Sequence, residues 1–344
     1  MAITKLVADS LGASAVPNQS AFKNLIINGD MSIAQRGTSF TGQEYTLDRW
    51  QQSLSGGTAT VTQETFSSGN EVAQCKNYLR QDVSSGNNNL GILQRVESVR
   101  SIKSGGSVTF SFYAKGTNPA SGGLNFHVEQ RFGTGGSPSS NVIVYDSDTD
   151  IVLTSDWTRY TITFTFTDYT GKTFGTNNDD YIQVEIRQKN SDTSTNAWTL
   201  DITGVQLEAG TTASDFEFLP HDVNLQRCYR YYYTYVNAVN QSIGIGVGYN
   251  NDQVYVHINY PVEMRALPSL ITSNNTNDFR SRKANIDYFD TWDGIQTQTK
   301  NQSIPYSSAQ VSIQTGEAVW VETKNATALL AFNSELILLS KFNN

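Results

Sequence analysis

The stretch TRYTITFTFTD, residues 158–168, puts Tyr160, Ile162, Phe164 and Phe166 on one side of an extended chain and Thr161, Thr163, Thr165 and Thr167 on the other, because successive strand side chains point to opposite faces. One side is apolar and the other hydroxylated, so the strand is half-buried and belongs to an antiparallel sheet with one face on a core. The same alternation recurs in SVTFSFYAK (107–115) and DYIQVEIRQ (180–188), with turn clusters such as SSGNNN (84–89) and TGGSPSS (134–140) between the runs. No long helical pattern interrupts this region. An antiparallel sandwich from about residue 24 to about residue 220 follows.

Near HDVNLQRCYRYYYTY (221–235) the texture changes, and VNLQRCYRYY reads as a short helix or as the first strand of a second unit. Beyond it, SIGIGVGYNNDQVYVHINY (242–260) has two alternating runs flanking Asn250 and Asn251, a hairpin pattern, and the runs at 309–325 and 328–342 supply further strands. The division is therefore an arm and linker over 1–22, a sandwich over 23–221 and a smaller β unit over 222–344. In the arm, Ile3, Leu6, Val7 and Leu11 recur at helical spacing before GASAVPNQS breaks the pattern.

Charged residues are 16% of the 344 positions, against about 25% in ordinary globular proteins. The surface polarity comes instead from abundant Asn, Ser and Thr. The net charge of −8 and the absence of any Lys/Arg-rich run argue against nucleic acid as a partner. No apolar stretch approaches the ~18 residues of a membrane span, and the N-terminus lacks a continuous apolar segment, so neither membrane insertion nor a signal peptide is expected. Cys75 and Cys228 are too few and too far apart for a disulfide scaffold and read as buried thiols of a chain made in a reducing cytoplasm.

The catalytic motifs that chemistry most often uses are missing: there is no H-E-x-x-H, G-x-S-x-G, Walker A or C-x-x-C. His127 and His257 fall inside strand patterns and His221 at the junction, positions that suit satisfied imidazoles. A glycosidase needs two carboxylates about 5–9.5 Å apart; Glu129, Asp180, Glu185, Glu208 and Glu217 are the candidates, although Glu185 shares a strand side with Tyr181 and Gln183 and reads as solvated. Gly244, Gly246 and Gly248 alternate strictly, which is no dinucleotide loop but allows close backbone approach to another sheet or to copies around an axis, with Ile243, Ile245 and Val247 packing on the other face. Aromatic and amide-rich groups that suit sugar faces are Tyr113, Trp157, Arg159, Tyr181 and Arg187, and, in the Tyr229–Tyr235 cluster, Tyr231 and Tyr233. That cluster reads equally as core or subunit interface.

The words NLIINGDMSIAQRG (24–37), LDRW (47–50), VTFSFYAKG (108–116), DWTRYTITF (156–164), WTLDITGVQLEAGTTASDFEFLP (198–220) and LQRCYRYY (225–232), in this order, resemble bacteriophage tail-fibre and receptor-binding proteins over about two thirds of the chain. YPVEMRALPSL (260–270) resembles the C-terminal tip of such fibres, and MAITKLVADSLGA (1–13) a virion-attachment N-terminus. The opening NLIINGDM with LDITGVQLE (200–208) also resembles carbohydrate-binding jelly rolls. The resemblance implies an all-β protein, a jelly-roll sandwich followed by a smaller C-terminal β domain, that is a non-enzymatic homotrimer in the virion tail. Its implied partners are another virion protein, through the N-terminal arm, and a host surface polysaccharide. By the same resemblance Asp30 and Asp201 would contribute to a structural calcium site, with Ser32 standing where such modules carry an acid; no other cofactor is implied. A capsid decoration or head-fibre protein on the capsid surface is the alternative, and a polysaccharide depolymerase the third reading.

Overall fold

The computed structural model describes residues 22–335, apart from 55, 88, 251–252, 274, 276, 284–285 and 309–312. Ile3, Leu6, Val7 and Leu11 lie outside the described residues.

Eleven strands build the first unit: β1 (Ser39–Phe40), β2 (Gln51–Ser53), β3 (Thr58–Thr65), β4 (Asn77–Ser85), β5 (Gly91–Glu97), β6 (Ser107–Thr117), β7 (Leu124–Arg131), β8 (Val142–Ile151), β9 (Thr158–Thr165), β10 (Tyr181–Gln188) and β11 (Trp198–Ala209). They form two antiparallel sheets, ordered β1-β3-β4-β11-β6-β9 (sheet one) and β2-β5-β10-β7-β8 (sheet two). In β9 the alternation is realised as read: Ile162 and Phe164 are buried, Tyr160 packs on the core, and Thr161, Thr163 and Thr165 face solvent. Phe110 of β6 and Phe126 of β7 stack at 4.4 Å with planes 12° apart, bridging the two sheets, an offset geometry aromatic pairs favour. Trp50 and Trp198 are core, and Cys75 and Cys228 are buried free thiols.

The NGD word is structural. Asn28 donates its amide to the carbonyls of Ile33 and Asp48 and accepts from the Ile33 N–H, while its own carbonyl receives Trp50 Nε1. Gly29 lies so close to β11 that a Cβ there would collide with the Val205 carbonyl oxygen, so only glycine fits.

Residues 221–229 settle as helix α1 (His221–Tyr229), entered at Pro220 with Asp222 in its first turn, and His221 is its first residue. Its buried Asn224 accepts from Asn28 N and donates to Asp30, which docks the helix on the first unit.

The second unit contains β12 (Tyr232–Val236), β13 (Ser242–Asn250), β14 (Gln253–Val256), β15 (Ile258–Asn259), β16 (Ser269–Thr272), β17 (Phe279–Lys283), β18 (Ile286–Asp290), β19 (Gly294–Gln298), β20 (Gln302–Ser307), β21 (Ala318–Thr323) and β22 (Leu330–Asn333). A small sheet runs β12-β22-β16 and a large one β15-β20-β14-β13-β21-β17-β18, with β19 on β20. β13 and β14 form the expected hairpin. His257 corrects its expected place: it falls between β14 and β15, exposed, 3.0 Å from Gln302.

In β13 the assignment of faces reverses. Ile243 is buried, but the register shifts between Ser242 and Gly244, where Gly244 takes φ +134. A bulge adds one residue and exchanges the two faces beyond it. Gly246 and Gly248 therefore turn inward, against valine side chains and the Gln314 carbonyl, while Ile245 (65% exposed) and Val247 turn out. Gly246 and Gly248 thus make their close approach to strands of their own chain, and Gly244 meets nothing within 4 Å.

The two units meet at a buried ionic and aromatic junction. Arg49, 1% exposed, donates to Glu335 and to the Arg95 carbonyl, and its guanidinium lies 3.5 Å over the Tyr231 ring. Arg36 sits 3.5 Å from the other Glu335 oxygen and 3.7 Å over the Tyr232 ring.

Removing one member of a buried ion pair strands the other charge, at a cost of roughly 3–5 kcal/mol. Glu335→Ala should lose stability of that order in urea denaturation, whereas a surface change such as Thr161→Ala should stay within about 0.5 kcal/mol; equal effects would show the junction to be incidental.

Candidate functional site

A strand on a sandwich sends every second side chain away from the core, and in sheet two those outward positions carry an unusual set. Register places Gln183 of β10 opposite Arg95 and Glu129, Glu185 opposite Leu93 and His127, and Arg187 opposite Gly91 and Asn125; His127 in turn faces Asp146 of β8. Polar side chains on a solvent face are ordinarily exposed. Here Glu185 is 3% and His127 5% exposed, because neighbouring polar groups close over one another.

Arg187 is the hub. Its Nε donates to Asn125 Oδ1 at 3.1 Å, its Nη2 lies 3.1 Å from His127 Nδ1, and it stands 3.6 Å from both Glu185 and Asp146. A guanidinium only donates, so His127 accepts at Nδ1 and carries its proton on Nε2, which lies 3.9 Å from Glu129. Glu129 pairs with Arg131 at 2.6 Å, Gln183 donates to Glu185 at 3.1 Å, and Asn125 donates to Asp146 at 2.7 Å. Burial pushes the Glu185 carboxyl above its usual range, opposed chiefly by the Arg187 guanidinium. The face is therefore a network of donors and acceptors bonded to one another at strand spacing, and only its edge reaches solvent. Toward β8 it opens, with the Asp146 side chain 37% exposed.

Of the residues named from sequence, Tyr181 and Arg187 lie on this face. Tyr113, Trp157 and Arg159 lie on the outer face of sheet one, where Trp157 packs 5.1 Å from Phe66 and 5.3 Å from Tyr78 under Lys115, and Arg159 sits 5.8 Å over Tyr113. The five do not form one site. Tyr231 is corrected: it is 3% exposed at the junction, its hydroxyl bonded to Glu97 and its face covered by Arg49, so no sugar can stack on it. Tyr233 is half-buried against Tyr229 at 5.0 Å and packs on the core of the second unit. Glu185, read as solvated, is instead enclosed.

Asn125, His127, Glu129 and Asp146 escaped the sequence reading of the ligand face. The signal was present in LNFHVEQR, where polar residues occupy every second position as in YIQVEIRQ; what was missing was that the two strands are neighbours.

Asp30 and Asp201 have separate partners. Asp201 is clamped by Arg80 at 2.7 and 2.8 Å, with Lys115 at 3.9 Å, while Asp30 accepts from Asn224. A calcium ion would have to compete with the Arg80 fork for both Asp201 oxygens, so this donor set does not fit a joint cage.

No protein-family model matches the chain, and no curated protein is significantly similar to it in sequence. Among solved structures it is similar to the N-terminal cellulose-binding domain of Cellulomonas fimi β-1,4-glucanase C, at 17% identity and TM-score 0.32 over 52% of this chain and 97% of that one. It is similar to the CBM22-1 xylan-binding domain from Paenibacillus barcinonensis, at 17% identity and TM-score 0.29 over 51% of this chain and 94% of that one. A third similarity is to the enzymatically active domain of bacteriophage CBA120 tailspike protein 4, at 16% identity and TM-score 0.32 over 56% of this chain but 22% of that one.

A carboxyl with a raised folded pKa holds its proton more tightly in the folded state. The stability it contributes is complete below the unfolded value, near 4.5 for glutamate, and is lost as pH rises through the folded pKa. Glu185→Gln removes that loss, so the stability of E185Q relative to the wild type should rise from pH 4.5 towards neutrality in urea denaturation. A difference that stays constant with pH would mean that Arg187 compensates the buried charge fully.

Proposed function

We propose that this chain is a phage virion protein of the tail-fibre or receptor-binding kind, which attaches to host surface glycan through the outer face of sheet two and does not cleave it. The observation that carries the reading is the Arg187 hub, where one guanidinium holds Asn125, His127, Glu185 and Asp146 in a fixed pattern of donors and acceptors. Rigid hydrogen-bonding groups held on strands keep their geometry without ordering cost when a saccharide arrives. The ordered words from NLIINGDM to LQRCYRYY support the virion part of the reading. Assembly as a homotrimer would let weak individual contacts act together through raised effective concentration.

One observation favours a second reading, polysaccharide cleavage: Glu185 and Glu129 share this face as diagonal neighbours on β10 and β7, positions about 7–8 Å apart at Cα, with His127 between. Cleavage would appear as new reducing ends from host polysaccharide that E185Q or E129Q abolishes.

In a binding assay with host polysaccharide, Arg187→Ala should weaken affinity at least about tenfold, equivalent to about 1.4 kcal/mol, with circular dichroism unchanged. Unaltered binding by R187A and by Asn125→Ala would overturn the site. Gold-labelled antibody against the chain should decorate the tail of intact virions, whereas gold over the capsid would transfer the protein to a decorating role.

A further inference from the structure

On β9 the side chains that face water are hydroxylated: Thr161, Thr163 and Thr165. The large sheet of the second unit departs from that pattern. Its inner face supplies the core of that unit through Val254, Val256, Val319 and Val321. Its outer face carries Ile245, Val247 and Tyr249 of β13, Tyr255 of β14, and Ala318 and Trp320 of β21. Register makes them neighbours: Ile245 lies opposite Trp320, and Val247 lies between Tyr255 and Ala318. Tyr306 of β20 extends the row beside Tyr255. Ten large hydrophobic side chains are prominently exposed among the described residues, and four of them, Ile245, Val247, Tyr249 and Trp320, stand on this one patch. Scattered exposed hydrophobes are ordinary, whereas a contiguous group marks an interaction surface.

The chemistry of the patch suits protein better than sugar. Its centre is aliphatic, and Tyr249 and Tyr255 stack on each other with planes 6° apart, so each ring has one face already taken. An apolar centre with a charged rim is the anatomy of a protein interface. At the rim Arg280 pairs with Glu322, and Arg282 with Asp287 at 2.9 Å. These two cations and two anions cancel, whereas the whole chain carries −8. Copies that repel one another elsewhere therefore meet least repulsion here, and a rim with both signs can match itself across a symmetry axis. The size also fits. Strands β20, β14, β13, β21 and β17 contribute thirty residues. At about 3.3 Å per residue and about 4.8 Å between strands, that is roughly 500 Å² of flat sheet, so two such faces in contact bury roughly 1,000 Å², where specific interfaces begin.

We propose that this face packs against the same face of another copy of this chain. The contact lies on the side of β13 opposite Gly246 and Gly248, with Ile245, Val247 and Trp320 at its centre. It does not depend on the glycan reading, and it gives the assembly invoked above a surface.

The test is the mass of the full chain in solution, by light scattering and sedimentation equilibrium from about 1 to about 100 μM, the range in which an interface of this size associates. The wild type should exceed the 38.0 kDa of one chain by a whole-number factor, two for a pair or three for a ring. Ile245→Glu should weaken association at least about a hundredfold with circular dichroism unchanged, since the side chain is exposed in the single chain. Thr161→Glu, which adds the same charge on the outer face of β9, should leave association as it was. A single-chain mass throughout overturns both this face and the homotrimer, while polysaccharide binding stands or falls by its own assay. An oligomer that survives both I245E and Trp320→Glu overturns this face alone, and T161E dissociating the oligomer as strongly as I245E overturns it too. Should I245E fail to fold, the wild type decides: hydroxyl-radical labelling of Trp320 and Tyr249 should fall as concentration rises through the association range, and constant labelling overturns the proposal.

Discussion

Arg49 holds the molecule's two halves in one arrangement. It occupies a left-handed turn, φ +71, closed by the Trp50 N–H on the Leu47 carbonyl, and from there its guanidinium reaches Glu335, the Arg95 carbonyl and the Tyr231 ring. A buried cation tolerates few environments: it needs an anion, further acceptors and a polarisable face. Each requirement is met by a different segment, so β2, β5, α1's exit and the end of β22 are drawn together. Asn28 braces the same turn from below through the Asp48 carbonyl and Trp50 Nε1. Words such as NGD and LDRW are therefore parts of one framework.

That framework decides which surfaces of the first unit remain open. On sheet two the β2 and β5 side is covered, with Arg95 bonded to Tyr45 and Gln51, while the β7 and β8 side carries the Arg187 hub and opens at Asp146. Sheet one presents a different chemistry: Phe66, Tyr78 and Trp157 cluster beside the Arg80–Asp201 pair. The two outer faces of one sandwich thus differ, one a polar network enclosed by its own members and the other an aromatic cluster with ion pairs at its edge.

The large sheet of the second unit shows how one residue redirects a face. After the Gly244 bulge, Ile245, Val247 and Tyr249 point outward, Ile245 stands opposite Trp320, and Tyr249 stacks on Tyr255 at 4.8 Å. Strict alternation in SIGIGVGYN led to the opposite assignment because alternation is blind to an inserted residue.

Strand identity and the inward side of the long runs at 107–115, 158–168 and 180–188 were legible in the sequence alone. They depend on a two-residue period and on apolar burial, both local properties. So was the half of the site carried by Tyr181 and Arg187. Tertiary structure alone decided which strands pair: Tyr113 and Trp157 went to one face and Arg187 to the other, His127 and Glu185 came opposite each other, and 221–229 became a helix. It also joined Arg49 to Glu335 across 286 positions. The physical reason is that pairing between distant strands, and the compensation of a buried charge by a distant one, are set by competition among all segments for one core, and no local pattern records its outcome.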